Sequence, residues 1–332
     1  MTLLVACGGA PPPKHTTVAS RHEATARAPA RAGSEAKHTA KAAPAPAKAK
    51  GHRATLRYEL GGQAFPLPVV HGSIGGEPTW MLVDTGANSH VVAGWLARKA
   101  HLTSKDHGDV GTDHTGRAIT TARIERPRIA LDEWGALDDA PVLVTEVPDA
   151  VARLGIGAFI SPQQLGGGRA VVLDLARGEL RASDSVEPPA AFDDRGIDPF
   201  EAGSLVCDDR ESAIPGLAFV VPAKIEGRTV ALLLDTGAHH TDLLTSTAVG
   251  QKLVGRSVAN KEQVYAASGR VTTRTLKKAR LQVGRLSTVT DVDLIPGATD
   301  ASCPRDGVLA MDILRSCVLV LTPSRLYGRC GD

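Results

Sequence analysis

The chain has 332 residues, and its 38 basic and 36 acidic residues leave a formal net charge of only +2. A chain of this length can build a hydrophobic core without a metal ion or a disulfide. Nine basic and two acidic residues fall within residues 8–53, so the remainder is net acidic. Nucleic-acid-binding cores carry their basic groups on a folded face, and this distribution therefore excludes a nucleic-acid partner. No apolar run reaches the roughly 18 residues of a membrane-spanning helix.

The first seven residues resemble the end of a bacterial lipoprotein signal. Residues 3–6 read LLVA, a short apolar run that ends in a small residue just before Cys7. We expect residues 1–7 to be the remnant of a signal that starts upstream, with Cys7 as the lipidation site. The protein is then exported and anchored to a membrane, in the periplasm or at the cell surface. The alternative is that Cys7 is an ordinary residue of a frayed terminus.

Residues 8–53 consist almost entirely of Ala, Pro, Lys, Arg, His, Thr and Gly, and Val18 is their only large apolar side chain. Such a segment cannot bury enough apolar surface to offset the entropy lost on ordering. We predict a disordered tether that holds the folded part away from a membrane or wall.

The rest of the chain carries an internal repeat. Residues 80–87 read WMLVDTGA and are echoed 151 residues later by ALLLDTGA at residues 231–238. Three further markers recur in the same order: TGR at 115–117 and SGR at 268–270, LGIG at 154–157 and GVLA at 307–310, VVLDL at 171–175 and CVLVL at 317–321. Four markers in one order predict a duplicated domain.

Each half reads mainly as short strands. Apolar runs rich in Val, Leu and Ile are bounded by Gly, Pro and Asp, and the pattern predicts short helices only near residues 93–100 and 311–315. Between the halves, four prolines and several acids indicate a linker. We therefore predict an all-β chain with a first lobe at 54–186, a linker at 187–216 and a second lobe at 217–332.

The repeated Asp-Thr-Gly supplies the chemistry. An apolar strand delivers Asp84 in one half and Asp235 in the other, and the glycine permits a tight turn beside each carboxyl. Two carboxyls that meet at the seam between duplicated lobes cannot both ionise at low cost, so one keeps its proton while the other loses it. Such an acid and base can activate a water molecule for attack on an amide carbonyl. No metal and no cofactor is required.

On these motifs the chain resembles the aspartic proteases of the pepsin and retroviral-protease superfamily, over about residues 54–332. The resemblance implies a bilobed all-β fold of two retropepsin-like β-barrel lobes with few short helices, and a monomer that acts on peptide or protein substrates. It implies that Asp84 and Asp235 form the catalytic pair. Supporting roles fall on the neighbouring residues Thr85, Gly86, Ala87, Thr236, Gly237 and Ala238.

Within this resemblance, Thr85 and Thr236 exchange hydrogen bonds across the seam, and Gly86 and Gly237 let the two loops approach. The flap tips that close over substrate are expected at Thr115, Gly116 and Arg117 in the first lobe and at Ser268, Gly269 and Arg270 in the second.

Two departures refine the resemblance. No tyrosine lies between Asp84 and Gly157, so the first flap is not pepsin-like. Ala87 and Ala238 are the retroviral-type choice, and alanine cannot donate the extra hydrogen bond to the carboxylate that serine or threonine would. We expect the pair to titrate at a higher pH, with peptidase activity that extends to weakly acidic or near-neutral conditions.

Four cysteines form an even set in a chain expected to be exported. Two disulfides with three possible connectivities follow, and we prefer Cys317 with Cys330 across a hairpin and Cys207 with Cys303. The alternative is four buried thiols.

The histidines do not follow a recognised zinc or calcium spacing, so we predict no metal site. His107 and His114, with the acids near them, read as polar loop residues. His90, His239 and His240 are candidates to modulate the charge of the carboxyl pair near neutral pH.

Two functions follow from the sequence. The first is an aspartic endopeptidase. The alternative is a catalytically weak, surface-anchored lipoprotein that binds peptides or proteins on the same fold. Retention of both aspartates and both threonines favours catalysis, because a binding protein can lose a carboxylate without losing its shape.

Overall fold

The computed structural model describes residues 52–113, 115, 117–137, 141–183, 205–209, 216–266, 269–299 and 303–331. Cys7, nearly all of the predicted tether, Gly116 and Ser268 lie outside the described residues. Within the described ranges, no helix is long and apolar enough to cross a membrane.

The first half folds mainly into strands because its apolar runs are short and rich in Val, Leu and Ile, which pack well on a pleated surface. Its elements are β1 (Arg53–Thr55), β2 (Arg57–Leu60), β3 (Gln63–Ile74), β4 (Glu77–Val83), β5 (Val91–Ala93), α1 (Gly94–Lys99), β6 (Lys105–Thr112), β7 (Ala118–Ile124), β8 (Ile129–Leu131), β9 (Gly135–Ala136), β10 (Val142–Thr145), α2 (Asp149–Arg153), β11 (Ile156–Ile160), a 3₁₀ turn (Pro162–Gln164), β12 (Val171–Asp174) and β13 (Glu179–Ala182).

The second half also folds mainly into strands. Its elements are β14 (Leu205–Asp209), β15 (Gly216–Ile225), β16 (Arg228–Leu234), β17 (Asp242–Leu244), α3 (Ala248–Val254), β18 (Val258–Ala266), β19 (Gly269–Val283), β20 (Leu286–Ile295), β21 (Gly307–Leu309), α4 (Met311–Leu314), β22 (Cys317–Leu321) and β23 (Leu326–Cys330). Helices α1 and α4 confirm the two predicted helices, whereas α2 and α3 were not anticipated.

Two sheets carry the duplication. One runs β6-β7-β10-β5-β11-β4-β3-β8-β9, with β2 on β3, and the other runs β14-β15-β16-β21-β17-β20-β19-β18. Seven consecutive strands of the first, β6 to β3, correspond in order to β18, β19, β20, β17, β21, β16 and β15 of the second. In both sheets the strand before Asp-Thr-Gly, β4 or β16, pairs in parallel with β11 or β21. The chain is therefore all-β and two-lobed, as predicted.

The register of β11 corrects one marker of the sequence repeat. Residues 158–160 lie beside residues 81–83 of β4, and residues 307–309 lie beside residues 232–234 of β16. The first-half partner of GVLA is thus the segment that starts at Ala158, and the match to LGIG at 154–157 was wrong. Gly157 is needed for another reason, since a Cβ there would overlap the side chains of Thr79 and Leu96.

A third sheet joins the two halves. Its order is β1-β13-β12-β22-β23, in which β12 of the first half pairs antiparallel with β22 of the second. Leu173 and Leu319 are directly opposite and fully buried in the main core, while Val172 and Val320 pack on the other face with Ala170. This shared sheet was not predicted from the sequence.

Both disulfides have the pairing that the sequence analysis preferred. Cys317 and Cys330 are directly opposite on β22 and β23, and Cys207 is bonded to Cys303. Cys207 belongs to β14, which pairs with β15 although its residues fall within the range assigned to the linker. Much of the remaining linker range lies outside the described residues.

We predict that the two disulfides stabilise the protein unequally. The Cys207–Cys303 bond closes a loop of 96 residues and the Cys317–Cys330 bond one of 13. Loop-closure entropy then gives a loss of about 5 kcal/mol for C207A/C303A and about 3 kcal/mol for C317A/C330A. Urea unfolding of both variants measures the losses, and the reverse order would contradict the prediction.

Candidate active site

Asp84 and Asp235 occupy equivalent places at the ends of buried central strands. The backbone N–H of Asp84 donates to the carbonyl of Ile160 at 2.9 Å, and that of Asp235 donates to the carbonyl of Leu309 at 3.0 Å. Both aspartates have no exposed surface. Each carboxyl is therefore fixed by a strand whose apolar side chains form the core of its lobe.

The two threonines exchange hydrogen bonds across the seam. The hydroxyl of Thr85 donates to the carbonyl of Leu234 at 2.8 Å and accepts from the backbone N–H of Thr236 at 3.0 Å. The hydroxyl of Thr236 donates to the carbonyl of Val83 at 2.7 Å and accepts from the N–H of Thr85 at 3.1 Å. These four bonds hold the two Asp-Thr-Gly loops at a fixed separation.

The two glycines bring each loop against the opposite carboxyl. A Cβ on Gly86 would overlap the carboxylate of Asp235, and a Cβ on Gly237 would lie 2.6 Å from Cγ of Asp84. Both separations are too short for real Cβ contacts, so any side chain here must displace a carboxyl. The structure thus brings together all eight residues of the two motifs from Asp84 to Ala87 and from Asp235 to Ala238.

The Oδ1 atoms of the two carboxyls accept different numbers of hydrogen bonds. Oδ1 of Asp84 accepts from the N–H groups of Gly86 at 2.9 Å and Ala87 at 3.1 Å. Oδ1 of Asp235 accepts from Gly237 at 2.7 Å. Among the described residues, neither buried Oδ2 accepts a hydrogen bond from another group. The two carboxyls lie within hydrogen-bonding reach of each other, so a proton on one of them provides a donor for the other.

The unequal number of hydrogen bonds affects the pKa values of the two carboxyls differently. Burial raises the pKa of Asp84 to about 7, and the hydrogen bonds from Ala87, Asp235 and Gly86 oppose that rise. Burial, followed by the charge of Asp84, raises the pKa of Asp235 well above its ordinary value, and only one backbone N–H, that of Gly237, opposes it. Asp84 is therefore the carboxyl that ionises first, and Asp235 is the one that retains the shared proton.

Asp242 is a buried acid near this pair that the sequence analysis missed. It occupies the position in β17 that Val91 occupies in β5, and its charge contributes to the raised pKa of Asp235. Burial and the charge of Asp293 in turn raise the pKa of Asp242 well above its ordinary value. Alignment of the two halves, strand by strand, would have revealed a carboxylate at a core position.

The predicted first flap is the turn of the β6–β7 hairpin. Oδ1 of Asp113 accepts from the N–H groups of Thr115 at 2.9 Å and Arg117 at 3.1 Å, and from the Thr115 hydroxyl at 2.6 Å. Thr115 is buried, and its carbonyl accepts from the N–H of Ala298, which follows β20 in the second lobe, at 2.8 Å. The hairpin tip therefore contacts the opposite lobe, while Arg117 is exposed.

The predicted second flap lies at the turn between β18 and β19. Gly269 pairs with Ala266 and Arg270 with Tyr265 at the start of the β19 ladder. The two predicted flaps thus occupy the same place in the strand order of their lobes.

Two histidines behave differently from expectation. Nδ1 of His90 accepts a hydrogen bond from the N–H of Ser161 at 3.0 Å, and burial lowers the His90 pKa to about 4. Burial, followed by the charge of His240, lowers the pKa of His239 to about 4 as well. Both rings are neutral near pH 7, so the expectation that they change the charge of the carboxyl pair there was wrong.

The similarity to a known protein family covers both halves of the chain. A sequence model described as aspartyl protease matches residues 70–166 and 221–313, which together make up more than half of the chain. Each matched region contains one Asp-Thr-Gly. No curated protein matches the chain.

The exchange between the threonines predicts a loss of stability when either hydroxyl is removed. Thr85→Val or Thr236→Val leaves a buried carbonyl and a buried N–H unpaired, so each should lower the free energy of unfolding by about 1–3 kcal/mol. The control is Thr229→Val at an exposed position of β16, with an expected change below about 0.5 kcal/mol. Urea unfolding measures all three, and equal losses would contradict the prediction.

Proposed function

Because the chain belongs to the aspartyl protease family, we propose that it is an aspartic endopeptidase with Asp84 and Asp235 as its catalytic pair. The observation that carries the proposal is a pair of adjacent buried carboxyls, held by exchanged threonine bonds, whose Oδ2 atoms accept no bond from any other described group. Peptide or protein segments are its substrates.

The proposed reaction needs only these two carboxyls and a water molecule. Ionised Asp84 takes a proton from the water, whose oxygen forms a bond to the carbonyl carbon of the substrate amide. Asp235 gives its proton to the carbonyl oxygen, which yields a tetrahedral diol. Asp84 then protonates the amide nitrogen, the C–N bond breaks, and one hydroxyl proton returns to Asp235 as the carbonyl re-forms.

The hydrogen-bond pattern supports this division of roles. Two backbone N–H groups stabilise negative charge on Asp84, whereas one stabilises it on Asp235. The N–H of Ala238, the counterpart of Ala87, instead points at the backbone carbonyl of Asp235 at 3.4 Å. The environment therefore separates a base from an acid in a motif whose two copies have the same sequence.

Anchoring through a lipid on Cys7 and export to the periplasm or cell surface remain proposals based on the sequence. The catalytic proposal does not depend on them. The alternative of a catalytically weak binding protein makes no use of two carboxyls that share a proton, and the geometry of the pair gives it no support.

Removal of either carboxylate should abolish hydrolysis. Asp84→Asn removes the base and Asp235→Asn removes the acid, so each should lower kcat/KM for peptide cleavage by at least about a hundredfold. Asp291→Asn is the matched control, because Asp291 is an exposed acid that pairs with Lys277 at 2.8 Å and accepts from the backbone N–H of Lys278 at 2.9 Å. Cleavage of an unstructured protein substrate measures all three. Parent-like activity in either Asp84→Asn or Asp235→Asn would contradict the mechanism.

The raised pKa values predict activity near neutral pH. The base must be ionised, so kcat/KM should rise as the pH increases through the Asp84 pKa of about 7. The acid must be protonated, so activity should fall again as the pH passes the raised pKa of Asp235, the carboxyl that retains the shared proton. A pH profile of kcat/KM measures both limbs, which report the pair as a unit. Activity confined to below about pH 3 would contradict the prediction.

A further inference from the structure

The two lobes hold their Asp-Thr-Gly loops by different means. In the second lobe, the backbone N–H of Met311 donates to the carbonyl of Ala238 at 3.0 Å, and that of Asp312 donates to the carbonyl of His239 at 3.1 Å. Two main-chain donors at the start of α4 thus secure the segment that follows Asp235.

Proline prevents the same arrangement in the first lobe. Ile160 and Leu309 make equivalent bonds to the two aspartates, so Pro162 corresponds to Met311 and Gln163 to Asp312. Proline has no backbone N–H, and the carbonyl of Ala87, the counterpart of Ala238, cannot receive that bond. It accepts instead from the side-chain amide of Gln163 at 2.9 Å.

The amide of Gln163 reaches further than the missing donor. Its Nε2 lies 3.2 Å from the carbonyl of Thr85 and 2.6 Å from that of Leu217, which is in β15 of the second lobe. Three carbonyl oxygens around one atom identify it as the nitrogen, because an oxygen there would face three acceptors. The next residue also uses its side-chain amide as a donor: Nε2 of Gln164 donates to the carbonyl of Asn88 at 2.9 Å.

We propose that Gln163 is a positioning residue for Asp84, whose side-chain amide replaces the backbone N–H that Pro162 removes. It holds the carbonyls on both sides of Gly86 and ties them to the second lobe. The N–H groups of Gly86 and Ala87 then point at Oδ1 of Asp84. This inference rests on the proposed endopeptidase function.

The role has a specific electrostatic consequence. Hydrogen bonds from Ala87 and Gly86 favour the ionised form of Asp84 and hold its pKa below the value that burial alone would give. Without the Gln163 amide, these N–H groups lose their fixed direction. The Asp84 pKa should rise, and the acid limb of the activity profile should move to higher pH.

The central test is Gln163→Met, which keeps an unbranched side chain of similar length but cannot donate. We expect kcat to fall about tenfold or more, because small displacements of a reacting group are costly. We expect KM to change less than kcat, and the acid limb of kcat/KM to move upward. The matched control is Gln251→Met, at an exposed glutamine of α3 whose amide donates to the carbonyl of Ser246, and it should change neither.

A second variant distinguishes positioning from general destabilisation. Pro162→Ala restores a backbone N–H at the position where Met311 uses one. In the Pro162→Ala background, Gln163→Met should therefore cost much less than it does alone, and the pH profile should return towards that of the parent. Should Gln163→Met alone fail to fold, the comparison of Pro162→Ala with Pro162→Ala/Gln163→Met still measures the cost.

The outcomes are separable. An unchanged acid limb in Gln163→Met, or a loss of kcat that Pro162→Ala does not reduce, overturns the inference. If the parent itself does not cleave peptides, the proposed function fails instead. The titration of the Asp84 carboxyl carbon by ¹³C NMR then still tests Gln163, because the expected upward pKa shift in Gln163→Met requires no turnover.

Discussion

The exchange of hydrogen bonds between Thr85 and Thr236 is the constraint on which the site depends. Each hydroxyl donates a hydrogen bond to a carbonyl of the other lobe and accepts one from an N–H group of that lobe. The hydrogen-bond partners of each threonine hydroxyl therefore all come from the opposite lobe. Buried polar groups that lose their partners are costly, and the interface therefore has one relative position in which all four groups are paired. That position places each glycine against the opposite carboxyl. The two acids are then close enough for the charge of one to change the pKa of the other.

Symmetry of sequence does not produce symmetry of charge. Both motifs read Asp-Thr-Gly-Ala, yet Ala87 donates to a carboxylate and Ala238 to a carbonyl. The asymmetry extends outward, to Asp242 in place of Val91 in the second lobe and to a proline in the first where the second has a backbone donor. Asp242 and the proline lie outside the motif, and the hydrogen bond from Ala87 and the charge of Asp242 both favour ionisation of Asp84 before Asp235.

Much of this arrangement could be predicted because it depends on local sequence. The repeated WMLVDTGA and ALLLDTGA segments indicated two strands, two carboxyls and a seam, and the even set of cysteines indicated the disulfides. Pairings between distant strands were harder to predict. The segment that corresponds to GVLA was misplaced because a short run of glycine and apolar residues does not fix strand register, and Gly157 is needed for its close approach to Thr79. The shared sheet was missed because nothing in a strand's own sequence shows which half of the chain supplies its neighbour.

The shared sheet also determines at which point of synthesis the edge of β12 finds its partner strand. Strand β12 pairs on one side with β13, but its other side is covered only by β22, near the end of the chain. Until β22 has been synthesised, this edge of β12 therefore has no partner strand. Val172 also lacks the side chain of Val320, which packs beside it in the complete protein. A chain that stops before residue 317 keeps both carboxyls and both threonines but leaves this edge of β12 unpaired. The edge of β12 is thus protected from aggregation only once β22 has been made.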